Sequence, residues 1–264
     1  MIKIKLICLL LLTTITHASY YVTLKDNEFN PGKGKSILTL FVTNEDSKMK
    51  AIELTPQTRD LEMNGDEINS ETEDIILIPS QVIIPPRTEK AISIRWAGSK
   101  VIQKERSYRI VINEVNIGRR QKDDTKMIKT KLRFIKSIYV APKIIQESIR
   151  VLQANRVIAN DGSSRLLLQI ANNGTVHTIF HNLVLEYNTS GQKIANIKIN
   201  ATEINPIRES VNLLPERSIK GWIPWPETID ESVEKFNLVA YNVEEEQKKE
   251  KKRKKKSKKK RKKR

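Results

Sequence analysis

His177 and His181 stand four residues apart in His177-Thr178-Ile179-Phe180-His181, the spacing that lets two imidazoles on one helical turn share a divalent metal. Their surroundings read as strand or turn, and no third ligand stands nearby, so no metal site is expected. The 264-residue chain has one cysteine, Cys8. It offers no glycine loop for phosphate and no serine elbow. The acids Asp123-Asp124 and Glu244-Glu245-Glu246 read as solvated loops. With no catalytic constellation in sight, the expectation is a protein that is not an enzyme and uses no cofactor.

The chemistry that remains is recognition. Between Asp124 and Pro142, Ile128, Thr130, Leu132 and Phe134 alternate with Lys129, Lys131 and Arg133. Period two marks a strand with one apolar and one wet face. Ile128, Leu132 and Ile135 also fit helical spacing, but Ile, Thr, Phe, Tyr and Val dominate the run and Pro142 closes it, which favours a strand. Such a strand is either an edge made soluble by lysines or an apolar row meant for another protein.

Charge is concentrated elsewhere. Lys248 to Arg264 holds 15 basic residues and one acid, so +14 of the net +17 resides in this stretch. It could contact anionic surfaces nonspecifically, but without interleaved aromatics it is no base-stacking platform. Met1 to Ala18 reads as a secretory signal, with Lys3 and Lys5 before the apolar Leu6 to Leu12 and Thr16-His17-Ala18 before the cut. Cys8 lies inside it. The mature chain is therefore expected outside the cytoplasm, without disulfides, held together by its core alone. Asn173, Asn188 and Asn200 match the glycosylation acceptor pattern, which chance explains in so asparagine-rich a chain.

The elements that position these residues read as short strands. Tyr21 to Leu24, Ser36 to Thr43, Met49 to Pro56, Ile75 to Ile78, Lys90 to Trp96 and Tyr108 to Val115 are punctuated by Asn30 to Lys35, Asn44 to Ser47 and a Gly65-centred turn. This density suits an immunoglobulin-like sandwich. After a hinge at Pro142-Lys143, Arg156 to Asn160, Arg165 to Asn172, Leu183 to Tyr187, Ile194 to Ile199 and Glu234 to Tyr241 suggest a second one. The expected fold class is all-β: residues 1–18 signal peptide, 19–142 and 143–244 two tandem immunoglobulin-like sandwiches, and 245–264 a disordered Lys/Arg-rich tail.

The order of several fragments resembles the PapD-like periplasmic chaperones of pilus assembly, closest to the archaic, alternative chaperone-usher branch. Phe41-Val42-Thr43-Asn44-Glu45-Asp46 looks like a strand-ending element of that family, and Leu77 to Pro86 like its proline-bounded segment. Ile94-Arg95-Trp96-Ala97-Gly98, Glu105 to Ile110 and Asn113-Glu114-Val115 are the most specific part. Ala171 to Thr175, Leu213-Leu214-Pro215 and Trp222 to Pro226 also fit. The resemblance spans about Tyr21 to Tyr241. It implies that the last strand of the first domain completes a pilus subunit's unfinished sandwich by strand addition, the subunit then passing to an outer-membrane usher. Ile128, Thr130, Leu132 and Phe134 would be the donor row, each large apolar side chain worth roughly 1.5 to 3 kcal/mol when buried. A self-capping dimer through the same edge fits as well.

The departures are local. The family clamps the subunit's terminal carboxylate with an Arg in the first strand and a Lys in the donor strand. Here the first position falls near Asn27 or Glu28. Lys136 is the candidate for the second, although a strict count lands on Ser137. Ala141 replaces the Arg that would pair with Glu105 across the domains, and Asn116 replaces a proline. The competing reading is a secreted structural or adhesive β-sandwich protein held to an anionic surface by its tail.

Overall fold

A computed structural model of the chain describes residues 20–115, 131–191, 193–206 and 211–241. The leader, Cys8, Asn116, Ile128, Thr130 and the basic tail lie outside these residues. The first part runs β1 (Tyr20–Leu24), β2 (Glu28–Phe29), β3 (Ile37–Asn44), β4 (Lys50–Thr58), β5 (Asp60–Leu61), β6 (Glu67–Ile68), β7 (Ile75–Ile78), β8 (Gln81–Ile84), β9 (Glu89–Trp96), β10 (Arg106–Val115) and β11 (Arg133–Val140). The second runs β12 (Ile149–Ile158), β13 (Ser164–Asn172), β14 (Thr178–Phe180), β15 (Asn182–Asn188), β16 (Ile194–Asn200), β17 (Val211–Leu213), β18 (Ser218–Pro224) and β19 (Phe236–Tyr241). The protein is all-β, two immunoglobulin-like sandwiches in tandem.

In the first sandwich the sheet β1-β3-β9-β7 faces β2-β11-β10-β4-β8. Alternation decides which residues meet between them. Leu38, Leu40 and Val42 from β3, Ile92 and Ile94 from β9, Tyr108, Ile110 and Ile112 from β10, and Ile138 and Val140 from β11 form one core. The second core is separate and gathers Leu166, Leu168 and Ile170 of β13 against Leu183, Leu185 and Ile219.

Each sandwich is laced by one buried asparagine. Asn44 is fully buried at the end of β3; its amide donates to the carbonyls of Lys48 (2.8 Å), Ile84 and Pro85 (3.0 Å each), and its side-chain oxygen accepts from the Asp46 N–H. Asn172 ends β13 in the same manner, donating to Val176 and Leu213 and accepting from Gly174.

Besides the short strands β2, β5, β6, β8, β14 and β17, which the sequence pattern does not show, two longer strands differ from it. β12 begins seven residues before Arg156, because Leu152 is exposed on its outer face and hides the alternation of Ile149 and Val151. β18 was not anticipated at all, since Gly221 and Pro224 interrupt it. Gly221 is required there: a Cβ would strike the Ile204 side chain and the Asn205 carbonyl, where Asn205 bridges to Trp222.

The β5–β6 hairpin leaves the first sandwich and crosses to the second. Its turn uses Gly65 at φ 89°. Asp60 forms a two-pronged ion pair with Arg217, the Met63 carbonyl accepts from the Lys220 N–H on β18, and Leu61 packs on the second core. We call this hairpin the strap.

Candidate functional site

β11 pairs antiparallel with β10 along its whole length, but on its other side it meets only the two residues of β2, in parallel. The N–H groups of Tyr139 and Ala141 donate to the carbonyls of Asn27 and Phe29, both at 2.8 Å. Odd-numbered residues of β11 therefore turn their backbone groups away from β10. Upstream of Tyr139 these are Arg133, Ile135 and Ser137, and among the described residues no strand meets them. Among the described residues this is an open ladder, an edge with backbone groups that a further strand could pair with.

The even-numbered face carries the apolar row. Leu132 and Phe134 are half-buried against the rim of the first core. The ring of Tyr20, the first residue of β1, meets Phe134 edge-on at 5.0 Å, and its hydroxyl donates to the Leu132 carbonyl at 2.8 Å. Burial, with the Glu114 carboxylate adding to it, pushes the Tyr20 hydroxyl up to about 12, so it remains a donor. The first residue of β1 thereby pins the start of β11. Of the four residues expected in the row, the structure brings Leu132 and Phe134 together.

Lys136 follows Phe134 on this same face. The odd-numbered face is different. There Arg109 on β10 lies opposite Ser137 and donates to its hydroxyl, and donates also to both oxygens of Glu67 on the strap. Arg59, its side chain 6% exposed, donates to Glu67 Oε1 at 2.7 Å and reaches the Tyr139 hydroxyl at 3.5 Å. Two guanidiniums thus share one carboxylate beside the open ladder. Nothing local in the sequence marks these three residues, which come from separate elements; Arg109 alone lies in a stretch that carries the family resemblance, Glu105 to Ile110.

Tyr139 continues this face into the joint between the domains. Its ring stacks on His177 at 4.0 Å and its hydroxyl accepts from Asn212 at 2.8 Å. Glu105, which has no arginine at Ala141 to pair with, instead accepts from His177 Nδ1 at 2.6 Å and from the His177 backbone at 3.2 Å. His177 and His181 flank β14 and do not form a metal pair. Among the described residues, no group of three His, Asp or Glu is placed to bind a metal. Beside the joint a cleft of about 410 Å³ is lined by Arg59, Asp60, Asp74, Arg106, Tyr108 and Arg217.

Burial raises the Glu67 carboxyl, but the Arg109 hydrogen bond and the charges of Arg59 and Arg109 outweigh it and hold it below its usual 4.5. The Arg217 hydrogen bond holds Asp60 below its usual 3.8. A carboxylate with a depressed pKa stabilises the fold above its unfolded pKa and loses that contribution only as pH falls through the folded one. Hydrogen exchange of the strap amides, corrected for intrinsic rates, is therefore expected to be flat from about pH 7 to about pH 5 and to quicken below about pH 4. Quickening already at about pH 6 would assign the strap's anchorage to other groups.

No protein-family model matches the chain, and no curated protein sequence does. Solved structures do. A chain of the chaperone–tip adhesin complex of CFA/I fimbriae biogenesis matches 77% of this chain and 88% of its own, at 16% identity and a TM-score of 0.51. The fold is that of the PapD-like fimbrial chaperones. The class 5 fimbriae chaperone CfaA matches 83% of this chain and 99% of its own, at 13% identity and a TM-score of 0.49. A chain of the CsuC–CsuE chaperone–tip subunit complex from the archaic Csu pili of Acinetobacter baumannii matches 77% and 89%, at 10% identity and 0.48. β11 is the last strand of the first sandwich, directly before Pro142 and Lys143.

Proposed function

We propose that this protein is a periplasmic chaperone that caps a pilus or fimbrial subunit by lending it β11, and then delivers the subunit to an outer-membrane usher. The observation that carries this reading is the open ladder of Arg133, Ile135 and Ser137 beside the half-buried row of Leu132 and Phe134. An added strand would take the free backbone groups, while the apolar row would fill pockets on the partner. Ile128 and Thr130 extend the row on this reading. The Met1 to Ala18 leader supports export. Lys136 lies on the Phe134 face, so the subunit's terminal carboxylate would instead meet Arg109 and Arg59 on the other face. Native mass spectrometry of the protein from the periplasm of its own host tests the reading. A one-to-one complex with a small β-rich protein is expected. Only monomer or self-dimer, with the host's pilus subunits present, would overturn it.

A further inference from the structure

We infer that the β5–β6 strap is a displaceable internal competitor: Glu67 occupies the Arg59–Arg109 clamp until the carboxylate of a bound chain takes its place. The inference rests on the reading of β11 as a strand donor and adds how that site is regulated.

Three observations carry it. The first is charge. Two guanidiniums face one carboxylate, and the neighbouring acids are engaged elsewhere, Asp60 with Arg217 and Glu105 with His177. The clamp therefore keeps a net positive charge that a second carboxylate would neutralise. The second is the unequal burial of the partners. The Arg59 and Arg109 side chains are 6% and 18% exposed, whereas that of Glu67 is 30% exposed and sits on the solvent side. The clamp is built into the sheet, and its occupant is laid over it. The third is the thinness of the strap. Its ladder consists of two residue pairs, Asp60 with Ile68 and Leu61 with Glu67, and Met63 and Ile68 are about half exposed. Such a hairpin is marginal without its outside contacts.

The same hairpin holds the two domains together through Arg217 and Lys220. Displacing Glu67 would free one leg of the strap and loosen the joint. Binding at the open ladder would then be coupled to domain movement, and the coupling would be reciprocal.

The test uses a synthetic peptide of alternating Val and Thr, about ten residues long, the upper end of usual strand lengths. It is made once with a free C-terminal carboxylate and once amidated. In fluorescence titrations, Glu67→Gln should bind the free-acid peptide about tenfold more tightly than the unsubstituted protein does, and the amidated peptide no more tightly. No gain, or an equal gain for both peptides, overturns the strap's role. Glutamine keeps an acceptor for Arg59. Should this variant fail to fold, Asp60→Asn decides alone, because it loosens the strap without touching the clamp or β11. It should favour the free acid by about threefold, and a gain that does not distinguish the two peptides overturns the proposal. Hydrogen exchange separates this failure from that of the donor reading. If neither peptide protects the amides of Arg133, Ile135 and Ser137 in any variant, the donor reading itself falls, and the strap's role with it.

Discussion

Leu132→Asp is expected to abolish capture of a pilus subunit while leaving the protein folded. Leu132 lies just before β11, half-buried at the rim of the first core. In the free protein an aspartate there can turn into water, so the fold should lose about 1 kcal/mol. In a complex the same side chain would enter an apolar pocket. The burial of leucine, worth roughly 1.5 to 3 kcal/mol, is lost. Desolvating an unpaired carboxylate adds about as much again or more. Together these come to about 3 to 6 kcal/mol, or at least about a hundredfold in affinity. Co-expression with a subunit, followed by affinity pull-down and thermal melting, reads both halves. Wild-type yield of the complex would remove the Leu132 row from the contact. Phe134→Asp should weaken capture similarly but cost more stability, because Phe134 supports the Tyr20 ring.

The largest stability effect is expected at Asn44. Its side chain bonds four backbone groups at two chain turns, the carbonyl of Lys48 and the N–H of Asp46 after β3 and the carbonyls of Ile84 and Pro85 at the end of β8. Alanine would strand those groups in a place where Asn44 itself is fully buried. At about 1 kcal/mol for each lost bond, the first domain should lose about 3 to 4 kcal/mol, a large part of ordinary domain stability. Urea unfolding followed by the fluorescence of Trp96, in the first core, should show its midpoint fall. Asn172→Ala should act likewise on the second domain, followed by Trp222 and Trp225. A loss below about 1 kcal/mol would mean that solvent re-satisfies the freed groups.

What could be read in advance followed from where the physics is local. β3, β9 and β10 each bury one face, so their apolar residues alternate visibly, and Tyr108, Ile110 and Ile112 emerge as a core row from the sequence alone. The strand ends at Asn44 and Asn172 were also legible, because Asn44-Glu45-Asp46-Ser47 and Asn172-Asn173-Gly174 are turn sequences; the carbonyls of Ile84, Pro85 and Leu213 that the two side chains reach were not. β12 and β18 were obscured by an exposed Leu152 and by a glycine that a neighbouring backbone demands. The clamp could not be read. Arg59, Glu67 and Arg109 come from β4's end, the strap and β10, and only the pairing of β4 with β10 brings them together. Counting along the strand pointed to Lys136 or Ser137, but counting cannot say that a cation one strand away reaches across to Ser137. The absence of an arginine at Ala141 was plain in the sequence; that His177, from the other domain, would take over Glu105 was not.

β2 is only two residues long, yet it sets a length. A visiting strand running along β11 from Arg133 would reach β2 at the level of Tyr139 and could go no further. Five residues, Arg133 to Ser137, remain, or about 17 Å of ladder at roughly 3.3 Å per residue. β2 therefore acts as an end-stop. If β11 lends itself to a partner as proposed, a guest sliding along the edge would be halted there by collision, and its final alignment would be set by the host's own backbone and need no particular sequence in the guest. A protein that must accept guests of differing sequence in one fixed alignment gains from a barrier made of main chain.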